Sequence, residues 1–203
     1  MRPRQVGATG LHNPEDLHLH KPPKRSRLLV AVFLFAVPAP GLCQGGQDLP
    51  APDKVVKPRV YVSLDRVPQG QAFDLALLGE ILPGFHINAN KVLQDYLIPT
   101  SVEPTLPAGF RLTKTSYPQG RIQKFEFSEE KLSVYDGTVT VRLSLQAPAD
   151  APPGKLKIPL TLRYQACNDR VCLPPVKIPL AAEIEIAPAG AKSRQQHAEI
   201  FHR

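Results

Sequence analysis

From residue 137 to 145 the chain reads Gly-Thr-Val-Thr-Val-Arg-Leu-Ser-Leu, so that Val139, Val141, Leu143 and Leu145 alternate with Thr138, Thr140, Arg142 and Ser144. A period of two sets the apolar residues on one face of an extended strand and the polar ones on the other. The same alternation occupies Arg59–Leu64, where Val60, Val62 and Leu64 share a face, and Gln71–Leu78 follows beyond the turn signal Pro68-Gln-Gly70. Shorter strands are expected at Gly84–Asn88, Leu97–Val102 and Phe110–Thr115, divided by Pro, Gly and Asn. Two longer strands close the series. Leu156, Ile158, Leu160, Leu162 and Tyr164 form the inward set of the first, and Val176, Ile178, Leu180, Ala182, Ile184 and Ile186 that of the second. Roughly eight short strands without helical periodicity predict an all-β fold of two antiparallel sheets, an immunoglobulin-like β-sandwich.

The 203 residues suffice for one domain with tails, and 23 prolines against 13 glycines argue against long helices. Order is expected from Pro58 to Ala187, preceded by a linker over residues 45–57 that is rich in Gly, Pro and Asp. From Pro188 the tail turns polar, and 188–203 is expected to be disordered.

The formal charge of +7 raises the question of a nucleic-acid partner. However, Arg2, Arg4, Lys21, Lys24, Arg25 and Arg27 stand against only Glu15 and Asp16 in the first 27 residues. Beyond them no basic run interleaves with aromatics, so a phosphate-tracking surface has no support.

Lys21-Pro-Pro-Lys-Arg-Ser-Arg27, the apolar run Leu28–Val37 and the small-residue exit Pro38-Ala-Pro-Gly-Leu-Cys-Gln44 have the order of a secretory signal. Residues 1–44 are therefore read as a signal peptide with an atypical N-terminal extension, which implies export and, in a bacterium, the periplasm. The apolar run is shorter than the roughly 20 residues that span a bilayer. Cys43 lacks the lipobox pattern, since Pro40 and Leu42 stand where a large aliphatic and a small residue belong, and it leaves with the signal.

Two cysteines remain, Cys167 and Cys172, at the tip of the hairpin formed by the last two strands. Opposed residues of antiparallel strands share a face, so the apolar sets match when Leu162 faces Ile178 and Leu160 faces Leu180. That register leaves the cysteines one residue out of step, and they can oppose each other only if an extra residue enters the ladder; Pro174-Pro175 is where it is expected. Pro159 and Pro179 suggest an edge position or a bulge. Alternation carried past Tyr164 puts Cys167 with Arg163 and Gln165 on the outer face, its sulfur near solvent.

Three readings of the pair are open. A dithiol that exchanges with other proteins needs accessible sulfur. A structural staple is poorly served by a loop of about six residues, which removes only about 2 kcal/mol of chain entropy against about 4.7 for 100 residues. On that reading the protein is a non-enzymatic exported adaptor with a passive disulfide. Metal binding would need histidines, and His86 is the one inside the expected domain, alternating with Phe85 and Ile87; His197 and His202 sit in the tail. Tyr164 reads as core. Arg163 and Arg170 favour a thiolate and Asp169 opposes it, although all three also suit a solvated hairpin tip.

The run Leu162-Arg-Tyr-Gln-Ala-Cys-Asn-Asp-Arg-Val-Cys-Leu-Pro-Pro175 resembles the cysteine hairpin of the N-terminal periplasmic domain of the thiol:disulfide interchange protein DsbD. Weaker similarity extends through Tyr135-Asp-Gly137 and Gly84-Phe-His-Ile-Asn88, so the resemblance covers roughly residues 55–187. It implies a relay that has no cofactor, takes no small-molecule substrate and works through thioredoxin-like proteins and a separate membrane thiol carrier. By this resemblance Cys172 forms the mixed disulfide with partners and Cys167 resolves it. Family members protect the pair with a cap loop of acidic and aromatic residues. The expected counterpart is Thr115-Ser-Tyr-Pro-Gln-Gly120, with Tyr117 as lid but without the acidic residues, and with Asn168 and Arg170 as supporting residues beside the cysteines.

Overall fold

Alternating apolar residues need a second apolar face to cover them, and the fold supplies it by closing two sheets on one another. The computed structural model describes residues 49–201. The expected signal segment, Cys43 and His202 lie outside them. A single 3-10 turn, Pro52–Lys54, leads into β1 (Val56–Val62), β2 (Val67–Pro68), β3 (Ala72–Ile81), β4 (His86–Asn88), β5 (Ser101–Pro104) and β6 (Arg111–Ser116). There follow β7 (Arg121–Lys124), β8 (Lys131–Tyr135), β9 (Thr138–Gln146), β10 (Gly154–Tyr164), β11 (Ala166–Cys167) and β12 (Val176–Ala187), then the short helix α1 (Ala198–Phe201).

One sheet has the order β1-β3-β9-β6 and the facing one β2-β12-β10-β5. All their pairings are antiparallel except the short β2–β12 contact. Their inner faces form one core: Phe73, Leu75 and Leu77 of β3 and Val139, Val141, Leu143 and Leu145 of β9 meet Ile158, Leu160 and Leu162 of β10 and Ala182, Ile184 and Ile186 of β12. The expected immunoglobulin-like β-sandwich is the fold observed.

A third, smaller sheet, β11-β4-β8-β7, extends the sandwich at one end and carries Cys167. The expectation of two sheets did not include it. Its strands are short, and four consecutive residues of β8, Leu132 to Tyr135, are buried, so no alternation marks it.

The β10–β12 ladder pairs Leu162 with Ile178 and Leu160 with Leu180, the register expected from the apolar faces. It runs unshifted through Pro159 and Pro179, so neither proline marks a bulge. β2 pairs only Ile186 and Ala187 of β12, which leaves Pro179 on an edge stretch where a missing N–H costs no ladder bond.

Two boundaries differ from expectation. Order starts before Pro58, because Val55 and Val56 are core residues and the buried Tyr164 donates its hydroxyl to Pro52 O at 2.7 Å. The segment after Pro188, expected to be disordered, runs back along the sandwich. Asp65 N–H donates to Arg194 O at 3.0 Å, Gln196 N–H to Ser63 O at 2.8 Å, and Arg142 holds Ile200 O. Polar composition hid this docking, since it is made mostly of backbone hydrogen bonds. Among the described residues no helix is long and apolar enough to cross a membrane.

Candidate functional site

After Tyr164 the chain leaves β10, and Ala166 and Cys167 pair with Ile87 and His86 of β4 instead of continuing along β12. Gln165 and Ala166 separate Tyr164 from Cys167 on one side, whereas Leu173, Pro174 and Pro175 separate Cys172 from Val176 on the other. The extra residue falls at the expected double proline. It brings Cys167 and Cys172 directly opposite each other, as a disulfide with Cα atoms 4.0 Å apart.

Asn168 shapes the tip between them. Its side-chain carbonyl accepts the N–H groups of Arg170 at 2.9 Å and Val171 at 2.8 Å, and its own N–H donates to Val171 O at 3.0 Å. This Asx turn reverses the chain within four residues. Arg170 contributes its backbone N–H to that turn and is otherwise exposed. Leu173 N–H closes on Ala166 O at 2.8 Å, and the Gln165 side-chain amide donates to Leu173 O at 3.3 Å.

The two cysteines differ in exposure. Cys172 is exposed, but Cys167 is only 1% exposed, which corrects the expectation that its sulfur lies near solvent. The reason is the sheet switch: Cys167 no longer follows the alternation of β10 but sits between Cys172 on one side and His86 on the other.

An open groove of about 500 Å³ leads to the pair, walled by Tyr96 and Leu97 on one side and by Phe127, Glu129 and Glu130 on the other. The second wall belongs to the segment Phe125-Glu-Phe-Ser-Glu-Glu130 that joins β7 to β8. Phe125 is buried and stacks on the His86 ring at a centroid distance of 4.0 Å, with Phe127 beyond at 5.4 Å from Phe125. Ser128 N–H donates to Phe125 O at 3.2 Å, and its hydroxyl donates to Glu130 O at 2.8 Å, which folds the segment back on itself.

The segment 115–120, expected to cover the cysteines with Tyr117 as lid, does not line their groove; the aromatic and acidic side chains beside them come from 125–130. The signal was present as two phenylalanines and three glutamates within six residues, in a stretch whose broken pattern gave no strand to anchor it. Tyr117 stands elsewhere. It lines a separate depression with Leu93, Ile122 and Tyr135, and its hydroxyl accepts the Val102 N–H at 2.9 Å. Burial pushes its phenol above the ordinary tyrosine value.

His86 is buried, and its Nε2 has no hydrogen-bond partner. Desolvation lowers its pKa below the usual histidine value, against the pull of Asp169 and Asp136. His197, by contrast, packs edge-on against Tyr61 at 4.9 Å in the docked tail. Among the described residues no group of three or more His, Cys, Asp or Glu side chains is placed to hold a metal ion.

With this geometry in view, the family model of the N-terminal region of the thiol:disulfide interchange protein DsbD matches residues 52–181. The chain belongs to the DsbD N-terminal domain family. Among solved structures it is similar to the reduced N-terminal domain of DsbD from Neisseria meningitidis, at 20% identity and a TM-score of 0.41 over 73% of this chain and 95% of that one. It is also similar to a complex of the DsbD and PilB N-terminal domains from the same organism, at 22% identity and 0.39 over 66% and 87%. The N-terminal periplasmic domain of ScsB from Proteus mirabilis follows at 13% identity and 0.45, over 70% of this chain and 52% of that one. No curated protein matches the chain. Family membership makes this a thiol:disulfide interchange domain, and its only described cysteine pair lies in the groove.

Proposed function

We propose that the domain is a periplasmic exchange module that relays electron pairs between thioredoxin-like proteins through Cys167 and Cys172, without a bound cofactor. The observation that carries this reading is the asymmetry of the pair: one bonded cysteine exposed in an open groove, the other buried behind it.

A thiolate attacks the sulfur it can reach, so a reduced partner attacks Cys172. The new intermolecular disulfide forms as the Cys167–Cys172 bond breaks, and Cys167 departs as the thiolate. The partner's second thiolate then attacks its own bridged sulfur, which releases Cys172 and leaves the partner oxidised and this domain reduced by two electrons. Delivery to an acceptor runs the same steps backward, with Cys167 resolving. The apolar rim of Tyr96 and Phe127 suits a protein surface, and thioredoxin-like partners fed by a separate membrane thiol carrier would meet it there. In this scheme the 125–130 segment serves as the cap.

A Cys167→Ser variant accumulates mixed disulfides with a reduced thioredoxin-like protein through Cys172, whereas Cys172→Ser does not. The reverse pattern exchanges the two roles. A wild-type disulfide with a potential below about −300 mV against glutathione would make it a passive staple and the protein an adaptor.

A further inference from the structure

Cys167 has two cross-strand neighbours. Cys172 is one and His86, at the paired position of β4, is the other, so the three side chains stand in a row on one face of the third sheet. Directly opposed residues hold their Cβ atoms about 4.5–5.5 Å apart, within reach of an imidazole and a sulfur.

The surroundings of His86 are built. The residue is 4% exposed, its ring stacked on Phe125 at 4.0 Å and parallel to Phe127 at 6.2 Å, yet Nε2 is left without a partner. A buried ring nitrogen with no partner costs free energy that an ordinary core residue would avoid. A sulfur that leaves as a thiolate from a residue only 1% exposed poses the complementary problem, because little water reaches it there to stabilise or protonate it. Each group supplies what the other lacks.

We propose that His86 is the acid–base partner of Cys167 in disulfide exchange. This rests on the exchange reading above. On reduction, the attacking thiolate bonds to the Cys172 sulfur, the Cys167–Cys172 bond breaks, and the electron pair leaves on Cys167. His86, which takes up a proton from solvent as the buried negative charge develops, shares it with that sulfur, so that the reduced pair exchanges between thiol with neutral ring and thiolate with imidazolium. On reoxidation, neutral His86 takes the proton from the Cys167 thiol, and the thiolate attacks the Cys172 sulfur and expels the partner's thiolate. No further oxidant or reductant enters.

The charged groups acting on the ring are consistent with both states. Burial favours the neutral ring in the oxidised domain, and Asp169 from the hairpin tip and Asp136 from the end of β8 favour the cation. The covering segment brings Glu129 and Glu130 to the groove. A thiolate at Cys167 adds one more negative charge beside the ring, so reduction draws the imidazole toward protonation.

The test needs no partner protein. In the full chain, ring-proton resonances of His86 are titrated in the oxidised protein and again after reduction by a phosphine. The expected result is a midpoint that moves upward on reduction by about one pH unit or more, a tenfold change in proton affinity. Separately, reduced protein is mixed with 5,5′-dithiobis(2-nitrobenzoate), which caps Cys172 and releases one thionitrobenzoate; attack by Cys167 then releases a second. In the wild type this second release rises with pH below the ordinary cysteine value of about 8.5. In His86→Phe, which keeps the aromatic stack, it slows by about a hundredfold, the low end of a positioned base's contribution, and shifts to higher pH. A His86 midpoint that ignores the redox state, or an unchanged second release in the variant, overturns the proposal. Failure of the wild type to exchange with thioredoxin-like proteins, while its thionitrobenzoate release still depends on His86, would remove the exchange reading alone.

Discussion

A buried histidine makes stability depend on pH in a direction that can be worked out. In the oxidised domain the folded-state pKa of His86 lies below its unfolded value of about 6.5. The unfolded chain therefore takes up the proton first, and stability, unaffected above about pH 6.5, falls as pH drops through it. Oxidised wild type should lose more of its urea midpoint between pH 7.5 and 5.5 than His86→Phe, which keeps the stack and has no proton to bind. Equal losses would place the ring in a water-like setting. Tyr164 offers a second test, since Tyr164→Phe removes the donor to Pro52 O and should cost about 1 kcal/mol in equilibrium unfolding. These residues were unequally legible. The cysteines announce themselves by spacing and Tyr164 by alternation, but a lone histidine between Phe85 and Ile87 looks like core until the strand pairing places it across from Cys167. Which residue lies opposite which in separate strands is non-local information that no short pattern contains.

At the scale of elements, the long strands could be read because each buries one face against a continuous core, whereas β7, β8 and the tail could not. β7 and β8 depend on a close backbone approach at Gly120. A Cβ there would stand 2.6 Å from the Ala89 Cβ and collide with the Ser133 hydroxyl, so the strand start must be displaced by any side chain. Gly120→Ala should cost about 1–3 kcal/mol in urea unfolding and speed alkylation of reduced Cys167, because the shift reaches the covering segment through β7. Wild-type alkylation in a folded variant would show that 125–130 holds its place independently of the strand. The tail is held by a different device. The Asp65 carboxylate accepts the Arg194 N–H at 2.8 Å and the Arg194 side chain at 3.0 Å, and the backbone bond foremost keeps its pKa below the usual aspartate value. Docking is therefore complete above the ordinary carboxylate range and weakens as pH falls through it. In Asp65→Ala the amides of Arg194 and Gln196 should exchange hydrogen faster while those of β9 stay protected. Uniform protection would make the tail's backbone bonds sufficient alone.

For the whole molecule the position of the disulfide decides whether it can open and close without unfolding the domain. The core is built chiefly where β3, β9, β10 and β12 of the two larger sheets meet; it reaches Ala166 and Leu173 beside the cysteines but does not include the cysteines themselves. The bond closes a loop of only about six residues, so in the chain-entropy account its loss frees the unfolded state by about 2 kcal/mol. A domain of this size shifts its melting temperature by about 2–4 °C per kcal/mol, which predicts a reduced form that still unfolds cooperatively, about 4–8 °C below the oxidised one. The measurement is paired calorimetry of the protein with and without a phosphine reductant. The same comparison separates relay from staple at the level of the fold. A relay passes through the reduced state in every cycle and must remain folded there to recognise its next partner, so a reduced form without a cooperative transition would leave the bond as a brace and the groove with no cycle to serve.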